Sequence, residues 1–193
     1  MPRRTPFLVF GLLMIAPCTF AQRDFFELAP IKYSDTRATD AMARLEADWK
    51  AGRRALPHGA PLEMLRTILK QLEIPEESQV LVHSRTSQQN NLIRYLNPRA
   101  VYHSANDYVG YVPGGKVEVA ATDPKLGPVF YILNLNRVDK PGFVVRDNSC
   151  LQCHGTSRTE LVPGLMVRSV FPDLNGHPML AAGTYLTTHG SSL

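Results

Sequence analysis

Apolar residues recur along this chain with two different periods. Across residues 35–53, Ala38, Met42 (or Ala41), Leu45 and Trp49 fall at the spacing of one helix face, and Gly52 closes the pattern. A loop at His58-Gly59 leads to Pro61, a favoured first helical position. Leu62, Leu65, Ile68, Leu69 and Leu72 then form a second apolar stripe, which Pro75 stops. Trp49 and these leucines read as core. Upstream, residues 22–34 read as irregular, with Phe25, Phe26 and Leu28 available to pack on the domain.

Beyond Pro75 the period shortens to that of strands. Residues 79–83 read as a strand, and the polar run 84–91 reads as the start of a short helix continuing through Tyr95. Short segments rich in Val, Tyr and Ile follow at 100–103, 108–112, 117–121 and 129–135. Pro113-Gly114-Gly115 and Asp123-Pro124-Lys125-Leu126-Gly127 supply turns between them, and Lys140-Pro141-Gly142 precedes Phe143-Val144-Val145. Residues 165–171 and 178–182 read as two last strands joined by a tight turn at Asp173-Leu174-Asn175-Gly176. Two helices followed by a mostly antiparallel sheet make an α+β domain. In it, residues 22–78 form a helical segment and residues 79–193 the β-rich part.

The first 21 residues carry a different pattern. Arg3 and Arg4 form a basic region, residues 7–15 a short apolar one, and Thr19-Phe20-Ala21 a small-residue cleavage site. This is the layout of a secretory signal peptide, too short in its apolar part for the ~20 residues that span a bilayer. Ile15-Ala16-Pro17-Cys18 offers a second reading as a lipid attachment site at Cys18, with proline where a small residue is expected. Cleavage after Ala21 removes two of the 21 basic residues and leaves the 17 acidic ones, so the net charge falls from +4 to +2. So small a charge does not point to nucleic acid or a membrane surface.

The exported portion retains two of the three cysteines, in Cys150-Leu151-Gln152-Cys153-His154. A pair of thiols in an exported protein reads first as a disulfide, second as a redox pair, third as part of a zinc site that would need four ligands. The histidine directly after the pair favours a fourth reading. C-x-x-C-H is the attachment pattern of a c-type haem, in which Cys150 and Cys153 bind the haem vinyl groups and His154 is the proximal ligand of the iron. The pattern lies late in the chain, just before the last strands, unlike the small all-helical cytochromes c.

Residues from about Val80 onward resemble a group of exported bacterial haem c proteins. The likeness is carried by Pro98-Arg99-Ala100-Val101-Tyr102, Tyr108-Val109-Gly110-Tyr111-Val112, Asp123-Pro124-Lys125-Leu126-Gly127 with Phe130-Tyr131, Cys150 to His154, and Val167-Arg168-Ser169-Val170-Phe171. The order of sheet, late haem motif and terminal hairpin is also similar to PAS-like haem domains, a likeness of layout alone. The resemblance implies one covalent haem c at Cys150 and Cys153 with His154 on the iron. It further implies a longer parent chain, so that this sequence is expected to be truncated at its C-terminus.

Function then turns on the other side of the iron, because a second protein ligand favours electron transfer and a vacant site favours gas or peroxide chemistry. His189 is ranked first, helped by the resemblance, and Met166 second; His177, Met179, His83 and His103 remain in the set. Arg146 and Arg158 flank the motif and could pair with a haem propionate. Tyr102, Tyr108, Tyr111 and Tyr131 either wall the haem or pack across strands. The expected function is electron transfer in the cell envelope or periplasm rather than catalysis. Its expected partners are redox proteins and the haem c maturation machinery, and no membrane span is expected in the mature chain. A haem-based redox or gas sensor is the alternative, followed by an inactive fragment of a larger cytochrome, a peroxidase-type enzyme, and a C-x-x-C domain without haem.

Overall fold

A computed structural model of the chain describes residues 24–188 and residue 191. Residues 1–21, read as a signal peptide, Cys18 among them, and His189 lie outside the described residues. The architecture is α+β: two N-terminal helices, a six-stranded antiparallel sheet and a separate two-stranded sheet.

Helix α1 (Ala41–Lys50) is shorter than its apolar pattern because Asp40 fixes its start. The Asp40 carboxylate accepts the amides of Met42 and Ala43 at 2.9 and 3.0 Å, satisfying donors that a first helical turn leaves free. Residues 35–40, read as part of the helical pattern, therefore lie outside the helix. Helix α2 (Pro61–Gln71) begins at the expected proline. Ala60 has no side-chain acceptor, so the Glu63 carboxylate alone supplies the local cap by accepting the Ala60 amide at 2.9 Å. Both helices turn most of their apolar stripes inward, with Met42, Leu45, Trp49, Leu65, Ile68, Leu69 and Leu72 buried, but Leu62, read as core, is exposed on the first turn of α2.

The six strands follow one another as neighbours: β1 (Val80–Val82), β2 (Arg99–His103), β3 (Asp107–Tyr111), β4 (Val117–Asp123), β5 (Gly127–Leu133) and β6 (Val144–Arg146). Tight turns join β2 to β3, β3 to β4 through Pro113-Gly114-Gly115, and β4 to β5 through residues 124–126, whereas residues 83–98 and 134–143 make longer connections. Strict alternation in β4 buries Val117, Val119, Ala121 and Asp123. Register aligns Val119 with Val109 and Tyr131, so these positions share the face that meets the helices. Tyr102, Tyr111 and Tyr131 lie on that buried face, whereas Tyr108 pairs with Ala120 on the other.

Two expected elements are different. Residues 84–95 form turns, not a helix. They lack an apolar stripe, and their side chains bond the local backbone: Ser87 Oγ accepts the Gln89 amide at 3.2 Å, and Asn97 Nδ2 donates to the Leu92 carbonyl at 3.0 Å. At the C-terminus, β7 (Met166–Val170) pairs with β8 (Thr184–Thr188), and residues 178–182 do not form the last strand. Pro178 has no amide for a ladder, and the chain makes a single 3-10 turn at Leu180–Ala182 before Gly183, at φ +96°, redirects it. The Asp173 turn is present, with its carboxylate accepting the amides of Asn175 and His177 at 2.8 Å each. Among the described residues no helix is long and apolar enough to cross a membrane.

Candidate haem attachment site

The motif follows β6 directly. Asp147 donates its amide to the Phe130 carbonyl at 2.9 Å, which anchors the chain to β5, and its carboxylate accepts the Ser149 amide at 3.0 Å. This starts a 3-10 turn, Asn148–Cys150, that runs into the short helix α3, Leu151–His154. On a helical turn Cys150, Cys153 and His154 stand at i, i+3 and i+4 and share a face. Leu151 is buried and pins the turn to the core. Gly155 ends it where a Cβ would lie 2.7 Å from Phe26 Cε1, so the early segment also closes on the motif. Phe26 is buried, while Phe25 and Leu28 are exposed.

Both cysteines are free thiols, Cys150 half-buried and Cys153 exposed. Gln88 Nε2 donates to Ser149 Oγ at 2.7 Å and reaches Cys150 Sγ at 3.6 Å. Burial, helped by the Asp147 and Glu118 carboxylates, pushes the Cys150 thiol up to about 12. It is therefore protonated near neutrality and a poor nucleophile by itself, unlike the reactive thiol of a redox pair.

The imidazole of His154 is held at two places. Its Nδ1 lies 3.0 Å from the Gly164 carbonyl oxygen, and its ring packs on Phe130 at 4.9 Å between centroids, tilted 42°. A carbonyl can only accept, so Nδ1 carries the proton and Nε2 keeps its lone pair. Burial moves the imidazole below its ordinary pKa, opposed by the bond to Gly164 and aided by the Arg99 charge. A neutral ring, with one nitrogen held by a carbonyl and the other free to bind, has the form of a metal-ligating histidine. Two thiols on the same helical face complete a donor set that fits a covalent haem. Among the described residues no three His, Cys, Asp or Glu side chains converge to hold a metal ion, so the zinc reading has no ligand set there.

The remaining sequence-derived residues are scattered. Met166 is half-buried at the start of β7, two residues beyond the carbonyl that holds His154 Nδ1. His177 and Met179 are exposed, with His177 beside the Arg85 guanidinium at 3.3 Å. His83 lies against Tyr95, and exposed His103 against Tyr108. Arg146 is committed elsewhere: it donates to the carbonyls of Thr36 at 2.9 Å and Tyr33 at 2.6 Å and sits 4.5 Å over the Tyr33 ring. Arg158 is exposed on the turn after the motif.

Four further residues stand at or beside the site, Gly164, Phe130, Gln88 and Arg99, and although Arg99 and Phe130 lie in segments of the resemblance, no local pattern ties any of the four to His154 or Cys150. The one sequence signal among their surroundings is Gly110, a glycine inside a strand pattern, which marks close approach by another group. That group is Arg99, whose Cζ would lie 2.7 Å from a Cβ at position 110. A cavity of about 500 Å³ adjoins the motif, lined by Gln88, Ile132, Val145 and Asp147 among others. A second, of about 580 Å³, lies along Ser149, Leu151, Gln152 and Gly155, none of them a member of the thiol and imidazole set. Comparison with protein-family models, curated proteins and solved structures returns no match to this chain.

Proposed function

We propose that this chain is an exported c-type haem protein that binds one haem and transfers electrons between proteins of the cell envelope. The observation that carries this reading is the neutral, oriented His154: Nδ1 donates to Gly164 and Nε2 is left as a ligand, one residue from the second of two free cysteines. Cys150 and Cys153 would hold the haem. Each thiol adds across a vinyl double bond, sulfur to one carbon and the thiol hydrogen to the other, so attachment changes no net oxidation state. When bound, the haem supplies a one-electron couple whose potential depends on axial ligands, burial and nearby charge. The protein's part is to orient the imidazole through Gly164 and Phe130 and to keep it neutral by burial. Cys153 and Gln152 are exposed, so a cofactor tethered there is within reach of a partner protein.

Haem c maturation machinery and envelope redox proteins are the partners this reading requires, and the N-terminal export pattern supports the compartment. The test is production with a haem c maturation system followed by acid-acetone extraction. Colour that stays with the protein, and a protein mass raised by one haem, are the expected results. Colourless protein under those conditions would sink the proposal and return the two cysteines to the disulfide reading.

A further inference from the structure

The sheet face turned away from the helices carries a charged pair next to the motif. Register sets Val101, Gly110, Glu118 and Ile132 in one row across the sheet, and Tyr108, Ala120 and Phe130 in the next. His154 packs on Phe130. Arg99 shares the face with Val101, lies over Gly110 and forms an ion pair with Glu118. Both partners are largely sheltered, with side chains 23% and 14% exposed, and Arg99 Nε is buried without a hydrogen-bond partner. Gln89 donates to Glu118 Oε1 at 3.1 Å, and its neighbour Gln88 reaches Cys150 Sγ at 3.6 Å, so adjacent residues of one loop tie the ion pair to the motif.

A sheltered ion pair is weak support for stability, because desolvation offsets much of the attraction. A donor left unpaired adds to that cost. The Arg99 guanidinium lies in the space that a Cβ at residue 110 would occupy. We propose that the Arg99–Glu118 pair sets the reduction potential of the haem held by His154, Arg99 favouring the reduced form and Glu118 the oxidised form. The inference rests on the haem reading above. Taking up one electron lowers the charge of the haem group by one. A nearby cation stabilises that change and a nearby carboxylate opposes it, more strongly where water is excluded.

Both substitutions of the pair break the same ion pair. A purely structural role would move the potential the same way in Arg99→Met and Glu118→Gln, whereas a charge effect moves it in opposite directions. The experiment is a mediated redox titration of the haem-loaded protein and the two variants, with covalent haem measured first. Arg99→Met is expected to lower the potential, changing the oxidised-to-reduced ratio at fixed poise by about tenfold, or about 59 mV for one electron. Glu118→Gln is expected to raise it by a comparable amount, and Arg99→Lys to stay within about threefold of wild type. Shifts of the same sign, or no shift in a fully loaded Arg99→Met protein, would overturn the proposal and leave the haem reading standing. Wild-type protein without covalent haem would overturn the haem reading, and this proposal with it. If Arg99→Met does not accumulate, Arg99→Gln carries the same prediction.

Discussion

His154 and Gly164 hold each other through two hydrogen bonds. The imidazole Nδ1 donates to the Gly164 carbonyl at 3.0 Å, and the Gly164 amide donates to the His154 carbonyl at 2.8 Å. Side chain and backbone of one residue are thus closed on the backbone of another ten positions away. This leaves Nε2 as the only ring nitrogen able to bind iron. His154→Ala is expected to retain thioether-bound haem but lose the imidazole-ligated absorption spectrum. Added imidazole should restore that spectrum in the variant, since a free ring can replace the ligand. A spectrum unchanged by His154→Ala would show that another residue ligates the iron.

The two thiols differ in a way that labelling can read. Cys150 is half-buried and its thiol is pushed up to about 12, while Cys153 is exposed. Thiolate is the reactive form, and burial restricts access as well. In haem-free protein at pH 8, iodoacetamide is expected to modify Cys153 more than about tenfold faster than Cys150. Haem loading should protect both. Equal rates at the two positions would mean that the turn around Cys150 is open in solution.

How much of this was legible in the sequence depends on the range of the interaction. The stripe Leu65, Ile68, Leu69, Leu72 and the alternation Val117, Val119, Ala121 come from local periods and are buried, while Leu62 at the start of the same stripe is exposed. Cys150 to His154 is a contiguous pattern, and the structure carries it on a helical turn ahead of β7 and β8. Arg146 stands four residues from Cys150, which made it a candidate for propionate binding. Its guanidinium is instead bound to Tyr33 and Thr36, more than a hundred residues back in sequence. Arg99 reaches the motif only because six strands lie side by side, and no local pattern encodes that. The misplaced last strand has a local cause: Pro178 and Gly183 flank residues whose apolar character alone resembled a strand.

Asp40 links the helices to the sheet. One carboxylate oxygen caps α1, and the other accepts the Tyr131 hydroxyl at 2.6 Å, with Asp40 only 1% exposed. Burial raises the Asp40 pKa, with the Tyr131 and helix-amide hydrogen bonds opposing it. A carboxyl whose folded pKa lies above its unfolded value binds more protons in the native state. Its contribution to stability is therefore greatest below the unfolded pKa of ~3.9 and declines as pH rises through the folded pKa. Asp40→Asn keeps an oxygen for the cap and removes the titration. Denaturant unfolding across acid pH should show the stability of wild type relative to Asp40→Asn falling as pH rises through the folded pKa of Asp40. Asp40→Ala removes the cap and strands the Tyr131 hydroxyl, at a combined cost of about 2–4 kcal/mol. A loss below about 1 kcal/mol would mean that water replaces both contacts.

The second axial ligand separates an electron carrier from a gas-binding protein. Met166 lies two residues beyond the Gly164 carbonyl that holds His154 Nδ1. His189, ranked first through the resemblance, lies outside the described residues. The ferrous protein is expected to show no rapid spectral change with carbon monoxide, as an iron with two protein ligands has no free site. His189→Ala should make it bind carbon monoxide, and Met166→Ala should leave the wild-type behaviour intact. Rapid binding at full occupancy in the unaltered protein would replace electron transfer with gas sensing as the working function. Opening of the site by Met166→Ala alone would reverse the ranking of the two ligands.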